Sequence, residues 1–400
     1  MIFLIIVSSI LLGFYIKNQL KDNLIDSYID KLISITKSKQ IPTFVSKKTG
    51  YAKNIDVKIF YEDLCNIENP KGTVLLINGA AETMIQWPDQ MIRTILKNGF
   101  RVIRFDNRGL GKSDWIKDWS KSNSYNLEEM ARDALAVTSH LMIKKFHVIG
   151  YSTGGMIAQI LAINHPEKII TMTNLMSTGY LLDPEAEKPD SKRINQLKKL
   201  IFSYRNKERN IDKVLKFHFK LDHLFVGSDN YVINYEKQIQ KTLYEIKFRN
   251  GFNKKAFDQH RHAIKKSGSR YRKLKTITSP TLIIHGSDDT LIRPSHSNKI
   301  ASLIHGSNLV IIKGMGHDFN KNFKNQINEI KKFKDLEKIR IPADFDYVNA
   351  HGLSNELREK LALIQPTSLG QASRTDGITP AAISNPSLAF LSWSEYTSCR

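Results

Sequence analysis

Ser152, in Gly150-Tyr151-Ser152-Thr153-Gly154, is the residue of this chain best placed to do covalent chemistry. A serine hydroxyl is a weak nucleophile at neutral pH and needs a base within hydrogen-bond reach. Glycines at both ends permit a tight strand-to-helix turn in which larger side chains would clash. The partners are expected downstream in the order serine, acid, histidine, each after a later strand. His317, in Gly314-Met315-Gly316-His317-Asp318, follows the apolar run Asn308–Ile312, and its glycines predict a flexible, exposed loop. Asp289 follows the run Thr281–Ile284 in His285-Gly286-Ser287-Asp288-Asp289; Asp288 competes with it as the acid, and Asp289 is favoured. Such a set cleaves an acyl bond through an acyl-serine, with His317 as base and then acid, oriented by Asp289.

That reaction also needs donors aimed at the developing oxyanion. One is the backbone N–H of Thr153, at the positive end of the helix after the serine. The other is expected from Asn78-Gly79-Ala80, which ends the run Thr73–Ile77, as the N–H of Ala80. Asp106-Asn107-Arg108 closes the run Arg101–Phe105, and its charges read as a loop-fixing Asp and Arg pair rather than catalytic groups. Neither Gly109/Gly111 nor Gly314/Gly316 continues as G-x-G-x-x-G and no P-loop occurs, so no nucleotide or flavin cradle is expected. No metal-ligand cluster is evident, and the site is expected to work without a cofactor.

The elements that must position these groups follow from periodicity. The runs at Thr73, Arg101 and Phe146–Ile149 are continuous and apolar, each followed by a helix-like stretch, which predicts a mostly parallel sheet covered on both faces. Ligands of such sheets bind at the carboxyl ends of the strands. From Leu181 to about Thr276 the chain is charged and helix-forming with no clear strand, a helical insertion after which the sheet resumes. Residues 22–50 read as a helical or flexible connector more than core, so the main domain spans 51–321. Residues 322–400, with a charged helix at Asn325–Ile339 and then short helical pieces, form a separate all-helical module.

The chain has 400 residues, 41% hydrophobic and 25% charged, which excludes disordered and fibrous classes. Its net charge of +21 comes mostly from dispersed lysines rather than one basic face, so nucleic acid is not the expected partner of the main domain. Cys65 and Cys399 lie near opposite ends and give no disulfide framework. The apolar run Ile2–Ile16, followed by Lys17 and Lys21, falls short of the roughly 20 residues of a spanning helix. It reads as a short membrane anchor with a cytoplasmic catalytic domain, with a signal peptide as the competing reading.

Over about Ile55–Asn320 the sequence resembles the α/β-hydrolase family. The tracts Gly99–Arg108, Gly154-Gly155-Met156-Ile157-Ala158-Gln159 and Leu175-Met176-Ser177-Thr178 resemble the subgroup of aclacinomycin methylesterase-like enzymes. The resemblance implies a serine hydrolase acting on a small-molecule carboxylic ester, with Ser152, Asp289 and His317 as triad and a cap over about 181–276. Epoxide hydrolases and haloalkane dehalogenases would place Asp where Ser152 stands. The chain departs from many relatives at Asn78, where they carry His, and the departure bears on substrate fit. Ile341–Tyr347, Gly352–Glu356, Leu369–Arg374 and Gly377–Ile383 resemble the C-terminal helical domain of the tRNA uridine 5-carboxymethylaminomethyl modification flavoprotein, glucose-inhibited division protein A. In that family the domain helps to dock tRNA and a GTPase, while the flavin sits in a domain this chain lacks. Thr379 and Pro380 read as the cap and first position of a helix after a turn at Gly377. The pattern is lost from Asn385 onward, and the module reads as a fused remnant in preference to a working docking domain.

Overall fold

A computed structural model describes residues 26–319, apart from 47, 66, 205–209 and 229–233, and residues 341–342, 344–349, 354–368 and 372. The run Ile2–Ile16, the helix expected at Asn325–Ile339, and Gly370, Gly377, Thr379 and Pro380 lie outside the described residues. Among the described residues no helix is long and apolar enough to cross a membrane. The chain divides into two compact units, residues 1–321 and 322–400.

The first unit is built on eight strands: β1 (Thr49–Asn54), β2 (Val57–Asp63), β3 (Thr73–Ile77), β4 (Arg101–Phe105), β5 (Phe146–Tyr151), β6 (Ile169–Leu175), β7 (Thr281–Gly286) and β8 (Asn308–Ile312). They form one sheet in the order β1-β2-β4-β3-β5-β6-β7-β8. Every pairing from β4 to β8 is parallel, and only β1 with β2 and β2 with β4 are antiparallel. Because β4 lies on one side of β3 and β5 on the other, the strand order reverses there, and such a reversal opens a crevice at the carboxyl ends. Ile77 is in register with Gly150, which sets the turn after β3 beside the turn after β5. Gly286 is likewise in register with Ile312, which brings the loops carrying Asp289 and His317 together.

Four strands differ from the sequence expectation. The hairpin β1-β2 was not expected; its turn passes through Ile55 at φ 54°. Strand β6 is a buried neighbour of β5, yet Thr171, Thr173 and Asn174 break up the apolar run that would announce it. Strand β8, read as buried, is the sheet edge, with Asn308 and Ile311 exposed.

Helices α2 (Asp89–Lys97), α3 (Leu127–His140), α4 (Thr153–Asn164) and α10 (Pro294–Leu303) join the strands. Helix α4 has Thr153 to Ala162 all buried, as expected of a helix covered on every side rather than amphipathic. The insertion is helical, comprising α5 (Ser191–Tyr204), α6 (Ile211–Leu224), α7 (Tyr235–Phe248), α8 (Lys254–Ser267) and the short α9 (Tyr271–Leu274). The connector is more than a linker. Its helix α1, residues 26–38, buries Ile29 and Ile33 against Leu215, Phe219, Ile239 and Leu243 of the cap. The two isoleucines are one helical turn apart and share a face, a stripe that the surrounding charged residues obscured.

Within the second unit, α11 (Asn355–Ile364) is capped by Ser354, whose hydroxyl accepts from Leu357 N at 3.3 Å. Tyr347 is buried and donates its hydroxyl to Pro366 O at 2.6 Å, closing the segment before the helix onto the segment after it.

Candidate active site

Ser152 stands between β5 and α4 at φ 54°, ψ −115°, a conformation that a non-glycine residue holds only when its surroundings enforce it. Those surroundings are close-packed backbone. A Cβ on Gly150 would meet Gly154 O, one on Gly154 would meet Ile77 O, and one on Gly155 would meet the Asn174 and Ser177 side chains. Ser152 N donates to Leu175 O at 2.8 Å, and Ser177 Oγ donates to Ser152 O at 2.6 Å, tying the turn to β6 and to the loop after it.

His317 presents Nδ1 to Asp289 Oδ2 at 2.6 Å. Asp289 is fully buried, and its Oδ1 accepts from Leu291 N and Ile292 N, both at 2.9 Å, so the carboxylate cannot rotate away. His285 Nε2 lies 3.1 Å from Asp289 Oδ2. Burial alone would raise the Asp289 pKa, but His317 and His285 outweigh it and hold it well below the usual carboxylate range. Burial likewise disfavours the charged His317 ring, but the Asp289 carboxylate beside it raises the pKa above the ordinary 6.5. Asp288 faces elsewhere: it accepts from Ser228 N at 3.0 Å and from Ser287 Oγ at 2.6 Å.

The loop carrying His317 is buried, contrary to the exposed loop its glycines suggested. A Cβ on Gly316 would meet Phe225 O, and one on Gly286 would meet Met315 O, so these glycines serve close packing between β7 and the cap. His317 N donates to Phe225 O at 2.9 Å.

Ser152 and His317 line one cavity of about 500 Å³ between the sheet ends and the cap, together with Gly79, Ala80 and Ala81. Thr153 opens α4, so its N–H is among those a helix leaves without an intrahelical acceptor. A Cβ on Gly79 would come within 3.3 Å of Ser152 Cβ, which shows how closely the β3 turn passes the serine. Ala81 takes φ 59°, and its N–H donates to His260 Nδ1 at 3.2 Å. His260 Nε2 lies 2.9 Å from Arg108 O, an acceptor, so this nitrogen carries the proton. Burial pushes the His260 pKa down to about 4, and the neutral ring clamps the Ala80-Ala81 turn. His260 sits on α8 and was not among the residues singled out from sequence.

Asn78 turns into its own loop, donating to Thr83 O at 3.0 Å, and is not among the described residues that line the cavity. The departure expected to alter substrate fit therefore acts on the turn. The loop pair is also corrected. Asp106 accepts from Met84 N and Lys112 N, both at 3.0 Å, and pairs with Arg249 of the cap. Arg108 instead makes two bonds to Asp133 of α3, at 2.6 and 2.7 Å. Two buried cations on different elements neutralise these acids, Arg249 lying also 3.1 Å from Glu245 Oε2, as burial requires.

Polar groups of the cavity wall titrate unusually. Desolvation pushes Glu82 and Asp222 up to about 7, against the pull of His317 and Lys241 on Glu82 and of Gln238 and Lys241 on Asp222. Burial brings Lys241 down to about 8.

A family model of the alpha/beta hydrolase fold matches residues 72–343, and the chain belongs to that family. A model of the tRNA modifying enzyme MnmG/GidA C-terminal helical bundle matches residues 329–388. Rhodomycin D methylesterase DnrP of Streptomyces peucetius is 25% identical over 275 residues, covering 61% of this chain and 84% of the relative. The tRNA uridine 5-carboxymethylaminomethyl modification enzyme MnmG of Syntrophobacter fumaroxidans is 54% identical over 61 residues, which are 15% of this chain and 10% of that enzyme. Esterase EaEST from Exiguobacterium antarcticum shares the fold with a TM-score of 0.55 at 18% identity, covering 70% of this chain and 97% of its own.

Proposed function

We propose that the first unit hydrolyses a small carboxylic ester through an acyl-enzyme on Ser152. The chain is a carboxylic ester hydrolase of the α/β-hydrolase fold. The observation that carries the mechanism is that Ser152, on its strained turn, and His317, with Nδ1 engaged by Asp289, open onto the same cavity. His317 Nε2 takes the proton of Ser152 as Oγ attacks the ester carbonyl carbon. The N–H groups of Ala80 and Thr153 receive the charge that develops on the carbonyl oxygen. As the C–O bond breaks, His317 returns the proton to the departing alcohol, leaving the acyl group on Ser152. A water, deprotonated by His317, then attacks the acyl carbon; the carboxylic acid leaves and Ser152 regains its proton. Asp289 holds the ring in the required tautomer and stabilises its charged form. Ester turnover compared between the protein and Ser152→Ala tests this: equal rates in both, or none in either across varied acyl chains, would refute it.

A second reading concerns residues 329–388, where the similarity to the MnmG/GidA C-terminal bundle lies. As a docking adaptor, the chain would bind tRNA or a protein through this module. Salt-dependent tRNA binding that disappears on deleting the residues after Ile339 would support it, and no binding at low salt would end it. The N-terminal run Ile2–Ile16 is proposed as a membrane anchor with the catalytic unit in the cytoplasm. Cell fractionation before and after its deletion checks that role.

A further inference from the structure

Helix α5 of the cap has no buried residue, whereas α6, α7 and α8 each bury four or five. It holds Lys192, Arg193, Lys198 and Lys199 and no acid. Asp190, just before it, is used at the helix start, where its carboxylate accepts from Arg193 N at 2.8 Å. Lys192, Lys198 and Lys199 are exposed, and among the described residues none of their ammonium groups stands in an ion pair or a hydrogen bond. Phe202 is 74% exposed and Ile201 44%. Lys198 and Lys199 stand four and three residues before Phe202, and Lys192 seven before Lys199, so the three lysines and the ring share one helical face. The other face meets the cap: Tyr204 stacks on Phe217 of α6 with ring centroids 4.3 Å apart, and Leu197 lines the cavity. A ring projecting from a cationic face is what an interfacial helix presents to anionic lipid, the cations at the headgroups and the ring in the acyl boundary. The backbone of a nucleic-acid duplex would answer the lysines but leave Phe202 and Ile201 in water.

We propose that α5 docks the enzyme on an anionic lipid bilayer through Lys192, Lys198, Lys199 and Phe202. This surface is separate from the run Ile2–Ile16 and needs no spanning helix. Because Leu197 of the same helix lines the cavity, docking sets the cavity wall beside the bilayer, where apolar esters collect. That consequence rests on the cavity being the ester site; the docking itself does not. Each lysine near such a surface strengthens binding about fivefold. Salt screens that share and leaves the share of the ring.

The test is flotation of the full chain with vesicles of phosphatidylcholine alone and of phosphatidylcholine with about 30% phosphatidylglycerol. At about 0.1 M salt the anionic vesicles should bind at least about tenfold more tightly, and the preference should collapse at about 1 M. Lys198→Gln with Lys199→Gln should weaken anionic binding about 20-fold. Phe202→Ser should weaken it about tenfold and keep the anionic preference. All three side chains are exposed, so thermal melting and turnover of a water-soluble ester should match the parent. Equal binding to the two vesicles, or an anionic preference untouched by these substitutions, overturns the proposal. A preference lost only on deleting Ile2–Ile16 assigns binding to that run and overturns it too. So does binding of duplex RNA through the lysines without binding of anionic vesicles. Anionic binding by a protein that turns over no ester would sink the hydrolase reading alone.

Discussion

Asp289 Oδ2 lies 2.6 Å from His317 Nδ1, while the adjacent Asp288 gives its carboxylate to Ser228 and Ser287. Neighbouring acids of the same type on one loop therefore have separate tasks. The loop after β7 turns once between them, and the two backbone N–H groups of Leu291 and Ile292 lock the buried one.

Replacing each acid in turn separates those tasks. Asp289→Asn should lower kcat/KM by about 10⁴-fold, because the amide no longer supports the charged, correctly tautomeric ring. Asp288→Asn should stay within about threefold, since its bonds hold a loop. Steady-state kinetics on a methyl or p-nitrophenyl ester measures both. Equal losses would place the acid wrongly.

The pH profile follows from the same pair. The base form of His317 is the active one, and Asp289 raises its pKa above 6.5, so activity should fall as pH drops through a value above 6.5. In Asp289→Asn the raising charge is gone and burial, which favours the neutral ring, remains. The acid limb of kcat/KM should therefore move to lower pH even though the plateau is far smaller. A limb that stays in place would show that Asp289 does not set the ring's charge.

The Arg108–Asp133 pair makes a stability prediction. Both groups are buried, and burial alone would neutralise each, but Arg108 makes two bonds to the acid and Asn54 Nδ2 donates a third at 2.8 Å. Arg108→Ala should cost about 3–5 kcal/mol in urea denaturation, because Asp133 is left buried and unpaired. The double change Arg108→Met with Asp133→Leu should lose less than the single one. A single variant as stable as the parent would contradict the pairing.

His260 is a positioning residue, reaching the site through the Ala80-Ala81 turn. His260→Ala should lower kcat by about 10–100-fold with little change in KM, since a misplaced oxyanion donor matters chiefly in the transition state. His260→Asn, whose amide oxygen can accept from Ala81 N, should recover part of the rate. Loss through KM alone, or no recovery, would assign His260 to folding rather than positioning.

Much of the candidate site was legible because each of its groups sits where a strand ends. Ser152, Ala80, Asp289 and His317 follow β5, β3, β7 and β8, and a short apolar run before a glycine turn is a local signal. The contributions of the cap were not legible. His260 meets the Ala81 turn and Asp222 meets the cavity only because α8 and α6 fold back over the sheet, and no local pattern encodes that return. Strand β6 was missed for a different reason: Asn174 and two threonines occupy it, and Asn174 is buried beside Gly155 at the serine turn. The burial of the His317 loop also ran against its composition, because Gly314 and Gly316 look alike whether they give freedom or close packing. Only neighbours distant in sequence, such as Phe225 and Gly227, decide between the two.

The central claim, that Ser152 is the nucleophile that Asp289 and His317 activate, is tested most directly by covalent capture. A fluorophosphonate probe incubated with the full chain, followed by peptide mass spectrometry, should place one adduct on Ser152. Labelling should vanish in Ser152→Ala and slow strongly in Asp289→Asn. An adduct on another residue, or labelling of equal extent in Ser152→Ala, would contradict the account.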